Sequence, residues 1–185
     1  MWRRLGRRGL TLAAVAAVLT AAIIADRAGL FGGIDPPDYE TYHGRTARVV
    51  RVIDGDTLDV AIPDGRRDTT RIRLWGVDAP ETVKPDTPVQ HFCPQSAAFV
   101  RHRAGDRDVR LELYPLRTRD RYGRLLAYVV LPDGECLNRM LVASGHAYAD
   151  PRFDHPRDRE FRQAQREARK QQRGLWAAVT AADLP

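Results

Sequence analysis

"RVIDGDTLDV", residues 51–60, sets Asp54, Asp56 and Asp59 among apolar, β-branched neighbours. The flanking runs TARVVRVI (46–53) and TLDVAI (57–62) read as strands, and Asp54-Gly55 between them is a strong hairpin turn signal. PDGRRD then turns the chain into TTRIRLWGV (69–77), where Ile72, Leu74 and Gly76 alternate with Arg71, Arg73 and Trp75. Three consecutive antiparallel strands are therefore expected. Carboxylates on strands are costly to bury, so unless these aspartates all face water, something positive must stand beside them.

Outward from this meander the elements alternate. Pro94 suits a first helical position, and QSAAFVRHRA after it fits a short helix before DVRLELY (108–114) returns to strand. RLLAYVVL (124–131) is a further strand closed by the turn PDGE, and CLNRMLVASG (136–145) is helical with Gly145 as its stop. In residues 155–174 Phe161, Ala164 and Ala168 recur near helical spacing on a charged surface, with Leu175 continuing the stripe and Gly174 placed to end the helix. Three strands, a helix, two strands and two helices predict an α+β fold: an OB-type five-stranded β-barrel with three helices, preceded by an N-terminal apolar helix.

That N-terminal element carries the compartment signal. MWRRLGRR is a positive n-region, and Gly9–Ala25 is a run of 17 residues without a charge. This is longer than the roughly 7 to 15 residues of a signal h-region and shorter than the roughly 20 of a membrane span. Cleavage and retention both remain open; Ile23 and Ile24 spoil a site after Ala25, which favours an uncleaved anchor. The reading is a signal peptide or signal anchor over 1–25, a tether over 26–43, a globular domain over 44–178 and a tail over 179–185, with that domain outside the cytoplasmic membrane, anchored or secreted. Arg3, Arg4, Arg7 and Arg8 account for most of the formal net charge of +6. The remainder of the chain is close to neutral, so bulk charge argues little about partners and placement must carry the case.

Three motifs in order, IDGDT (53–57), RLWGVDAPET (73–82) and RYGRLLAY (121–128), closed by LNRMLVASGHA and RGLW, resemble the staphylococcal nuclease-like (thermonuclease) family from about Ala47 to Trp176. The resemblance implies a nuclease that hydrolyses phosphodiester bonds of DNA or RNA with Ca²⁺, endonucleolytic and exonucleolytic attack both being open. It implies that Asp56, Asp78 and the backbone carbonyl of Ala79 hold the metal, with Asp54 behind them. Arg73 and Arg124 would clamp phosphate, Glu81 would activate water, and Arg121 and Tyr122 would contact a terminal phosphate and nucleotide. The chemistry is coherent: hard oxygen ligands suit Ca²⁺, and guanidiniums fork onto phosphate oxygens. The implied partners are a nucleic-acid substrate and, with an uncleaved leader, a membrane through residues 9–25; the expected state is a monomer.

Ala79 stands where the family's best-known member has threonine, a change that a main-chain ligand tolerates. AYADPRFDHP (147–156) aligns uncertainly with the family's aromatic stacking segment, where Phe153 or Tyr148 could serve. His43, His91, His102, His146 and His155 are scattered without a second Cys cluster, which argues against zinc. Cys93 and Cys136 in an exported domain suggest one disulfide. Taken singly, each acid could be a turn former and each arginine a surface cation; the motifs together favour the enzyme. The alternative is a non-catalytic OB-type module that binds nucleic acid or protein, but such a module would be expected to lose some of Asp56, Arg73, Asp78, Glu81 and Arg124, and all five are present.

Overall fold

The computed structural model describes residues 36–80, 93–152 and 155–177. Within them β1 (Thr46–Val52), β2 (Thr57–Val60), β3 (Thr70–Leu74), β5 (Asp108–Glu112) and β6 (Leu125–Val130) close a barrel in the order β1-β2-β3-β6-β5. The meander pairs antiparallel as expected, with Val52 opposite Leu58 and Thr57 opposite Arg73. Closure comes from one parallel pairing, Ile72 with Leu125, and from Ala47 pairing with Val109 across β1 and β5. The sheet is therefore mixed. Ala47 and Val49 on β1 and Ile72 and Leu74 on β3 point inward while their neighbours face out, the two-residue period of a half-buried strand. β6 is buried at every residue because helices cover its outer side.

The three expected helices are α2 (Cys93–Ala104), α3 (Leu137–Ala143) and α4 (Asp158–Lys170). Asn138 on α3 is fully buried and stitches the helix to the barrel: its Oδ1 accepts from the Val129 N–H (3.0 Å), and its Nδ2 donates to the carbonyls of Trp75 (2.9 Å) and Ala127 (3.1 Å). Gly145 follows the α3 cap with φ +73° and stops it as expected.

Several expectations need correction. TTRIRLWGV is not one strand. β3 ends at Leu74, Gly76 takes φ +77°, and Val77–Asp78 forms β4, which pairs with β7 (Tyr148–Ala149) outside the barrel. A Cβ on Gly76 would sit 2.4 Å from the His155 ring, so this turn needs glycine for space as well as conformation. Part of the stretch read as a tether is helical: α1 (Pro36–Tyr42) buries Tyr42 in the core and ties Asp38 to Arg119 (2.6 Å). α4 stops at Lys170, and Gly174 instead opens a 3₁₀ turn, Gly174–Ala177, that buries Leu175 and Trp176. Cys136 is a buried free thiol, not half of the expected disulfide; the side chain of Cys93 lies outside the described residues. Burial pushes the Cys136 thiol pKa up, as expected of a packing residue. No described helix is long and apolar enough to cross a membrane, and the expected N-terminal apolar helix lies outside the described residues.

Candidate active site

Among the described residues, four segments line a cavity of about 700 Å³: the β1–β2 turn, the stretch from Arg73 to Pro80, the loop before β6, and the turn after β7. Asp54, Asp56, Arg73, Asp78, Ala79, Arg121, Tyr122 and Arg124 all line it. Glu81 lies outside the described residues. Asp59, the third acid of the opening hairpin, points elsewhere and is held by Arg71 in a two-point ion pair (2.9 and 3.2 Å). The hairpin's carboxylates are thus divided between the cavity and a neighbouring strand.

Asp56 is 7% exposed. Its Oδ2 lies 3.0 Å from Arg73 Nη1 and accepts from the Ala79 N–H at 3.0 Å; its Oδ1 accepts from the Thr57 hydroxyl at 3.0 Å. The Asp56 N–H donates to Asp54 Oδ1, so the two acids brace one turn (3.0 Å). Between them, Gly55 is packed so closely that an added Cβ would meet the Cβ atoms of Ala79 (2.6 Å) and Ser96 (2.7 Å). The turn and the Ala79 backbone can approach only because no side chain intervenes.

Arg73 bridges the site. Nη1 also donates to the carbonyls of Val77 (2.7 Å) and Leu74 (3.1 Å), and Nη2 donates to Asp78 Oδ1 (3.2 Å). Arg124 is braced by Asp120, with Nε 2.7 Å from Oδ2, and its Nη1 donates to Thr57 Oγ1 at 3.3 Å. A continuous chain of polar contacts therefore runs from Asp120 through Arg124, Thr57, Asp56 and Arg73 to Asp78. Arg152 extends it, with Nη2 2.9 Å from Asp78 Oδ1 and 2.8 Å from Asp150 Oδ2. On the rim, Tyr122 is 68% exposed, with the guanidiniums of Arg121 and Arg124 at 4.7 and 5.5 Å from its ring centre.

Burial pushes the Asp56 carboxyl up to about 7; Arg73 opposes that shift, Asp54 adds to it, and the Ala79 N–H and Thr57 oppose it more weakly. One guanidinium does not fully compensate this carboxylate for its lost hydration. Among the described residues the lining sets five carboxylates against five arginines. A phosphodiester entering such a cavity needs further positive charge, and the pair Asp56 and Asp78, converging on one guanidinium, offers hard oxygen donors for it. Among the described residues no three His, Cys, Asp or Glu side chains gather as a metal cluster. A cation here would rest on two carboxylates, a main-chain carbonyl and oxygens from water or substrate, which Ca²⁺ accepts readily.

Thr57, Asp120, Asp150 and Arg152 were not singled out from sequence. Asp120 pairs with Arg124 across a turn whose closure the sequence does not signal, and Asp150 and Arg152 reach the cavity through the β4–β7 pairing. Tyr148 pairs opposite Asp78 and packs edge-on against Trp176 at 5.4 Å, outside the cavity lining; Phe153 lies outside the described residues.

Residues 71–178 match the family described as staphylococcal nuclease homologue. The chain is 36% identical over 174 residues to a thermonuclease of Staphylococcus hyicus, covering 91% of this chain and 96% of the relative. It is 44% identical over 136 residues to a thermonuclease of Staphylococcus intermedius, covering 72% and 77% of the two chains. A micrococcal nuclease of Shigella flexneri is 32% identical over 175 residues, 90% of this chain and 87% of the relative.

Proposed function

The chain belongs to the staphylococcal nuclease family and is a nuclease that hydrolyses phosphodiester bonds; on that premise we propose that it does so with Ca²⁺ held by Asp56, Asp78 and the Ala79 carbonyl, using Arg73 and Arg124 on the phosphate. The observation that carries this reading is the bridging of Asp56 and Asp78 by Arg73 in a cavity whose described lining sets five carboxylates against five arginines.

Bound there, Ca²⁺ supplies positive charge at a phosphate oxygen and at the attacking water. The chain's own groups do the rest. Arg73, 12% exposed and fixed by three hydrogen-bond acceptors and its ion pair with Asp56, presents a preorganised cation to charge that develops on the phosphoryl oxygens. Arg124 is aimed by Asp120 and joined to Asp56 through the Thr57 hydroxyl, so both guanidiniums are held in register with the acids. Glu81, three residues beyond Asp78, takes the water's proton or orders the water. Arg121 and the exposed ring of Tyr122 receive the nucleotide beside the cleaved bond, by ion pairing and stacking.

The test is cleavage of labelled single- and double-stranded DNA and RNA by the full chain, with Ca²⁺ or with chelator. Cleavage that chelator abolishes and Ca²⁺ restores is expected; cleavage indifferent to chelator would overturn the metal assignment. We also place the domain outside the cytoplasmic membrane, a reading supported by the arginine-rich, apolar leader. Protease added to cells with any outer membrane opened should degrade it, and full protection until lysis would refute this.

A further inference from the structure

We propose that Arg152, locked by Asp150, is a phosphate-binding subsite for the nucleic-acid strand beside the reacting phosphate. The proposal rests on the nuclease reading above and extends it to a side chain with no role there.

Asp150 is the anchor. It is 3% exposed, and its N–H donates to the Gly76 carbonyl (3.0 Å), so the turn that re-aims Asp78 also places this carboxylate. Its Oδ1 accepts from the Arg152 N–H (3.0 Å) and Nε (2.8 Å), and its Oδ2 accepts from Nη2 (2.8 Å). Burial raises the Asp150 pKa, but the hydrogen bonds and charge of Arg152, with Arg73 behind it, more than offset that and hold the carboxyl below its usual range. Asp150 is therefore an ionised, buried clamp on one edge of a guanidinium.

The rest of that guanidinium faces the cavity. The Arg152 side chain is 56% exposed and lines the cavity wall, and among the described residues its Nη1 has no partner. Its Nη2 meets Asp78 Oδ1, the oxygen that Arg73 Nη2 also contacts. Two guanidiniums thus share one carboxylate oxygen, one deep in the cavity and one at its rim. The deep one lies against Asp56, where the reaction is placed. The rim one is assigned to the neighbouring phosphate along the strand. Arginine suits this task because its planar fork can satisfy Asp150 on one edge and keep a donor for a phosphate oxygen on another.

The alternative role for Arg152 is to orient Asp78 alone, and the experiment separates the two. Kinetics of the full chain and of Arg152→Ala would be measured on an oligonucleotide and on a mononucleotide diester with a single phosphodiester bond. Binding of a labelled single-stranded oligonucleotide would be measured in chelator across a salt series. Arg152→Gln, which keeps the stem and a donor toward Asp150, serves if the alanine variant does not fold.

A subsite requires KM on the oligonucleotide to rise about ten-fold, the size of one lost charge-assisted contact, with kcat little changed. At saturating Ca²⁺ the loss on the single-diester substrate should be much smaller than on the oligonucleotide, and the slope of log Kd against log salt should fall by about 0.7, one phosphate contact on a single strand. Equal losses on both substrates with a raised Ca²⁺ requirement would assign Arg152 to Asp78 alone and overturn the proposal. So would an unchanged KM and salt slope. If the wild-type chain cleaves neither substrate, the nuclease reading fails, and the salt slope still decides whether Arg152 touches phosphate.

Discussion

Arg73 Nη1 lies 3.0 Å from Asp56 Oδ2 with both side chains largely withdrawn from water, yet burial still lifts the Asp56 carboxyl to about 7. A pair this close would ordinarily hold an aspartate fully ionised at neutral pH. Here the Arg73 guanidinium is shared with Asp78 and two carbonyls, and Asp54 adds negative charge alongside. Function and stability therefore pull in opposite directions at Asp56.

Replacing Asp56 by Asn should accordingly stabilise the metal-free protein. The folded-state pKa is raised above the unfolded value of 3.8, so the group's favourable contribution is complete below about pH 4 and is lost as pH rises through about 7. Thermal melts in chelator should place Asp56→Asn above wild type at pH 8, with the difference vanishing below pH 4. Millimolar Ca²⁺ should raise the Tm of the wild type and leave the variant unmoved. A variant less stable than wild type at pH 8 in chelator would show that Asp56 supports the fold.

Asn138→Ala should be among the most damaging single changes outside the cavity. It strands the Val129 N–H and the carbonyls of Trp75 and Ala127, all in the buried seam between α3 and the barrel. Each stranded group costs about 1 to 3 kcal/mol, so a loss of about 3 kcal/mol or more is expected. Urea unfolding should show a lower midpoint with an unchanged slope; a shift below about 1 kcal/mol would mean that water replaces the amide.

How far the sequence foretold this arrangement depends on the range of each interaction. The meander was legible because β-branched runs and an Asp-Gly turn are local signals, and Asp54, Asp56, Asp78, Arg73, Arg121 and Arg124 could be named because three motifs carry them. The break at Gly76 was not, since Ile72, Leu74 and Gly76 continue the strand alternation and only the packing of His155 and the β7 pairing reveal the turn. The helix α1 has no apolar period of its own, and its anchors, Tyr42 in the core and Asp38 on Arg119, are contacts made far along the chain. Arg152 was hidden for the same reason: its neighbours in sequence say nothing of Asp78.

Arg119 ties α1 to the β2–β3 turn, pairing with Asp38 (2.6 Å) and Asp64 (2.9 Å). Its hydrogen bonds and charge hold the Asp64 carboxyl below its usual value, against a smaller opposing effect of burial. That stabilisation is present above the unfolded pKa of 3.8 and is lost as pH falls through the lowered folded value. Arg119→Ala should therefore be less stable than wild type at neutral pH, with the gap closing in acid below about pH 4. Denaturation curves from neutral to acid pH check this, and a gap independent of pH would assign the loss to packing.

The central claim is that Arg73 and Arg124 stabilise charge in the transition state, and single-turnover cleavage of one labelled oligonucleotide at saturating Ca²⁺ measures it most directly. Compared with wild type, Arg73→Ala and Arg124→Ala should each cleave about 10²-fold or more slowly while still folding and binding the oligonucleotide, as expected when an oriented electrostatic donor is removed. Cleavage by both variants at the wild-type rate, or a wild-type protein that binds the oligonucleotide and leaves it uncut at millimolar Ca²⁺, would contradict the account.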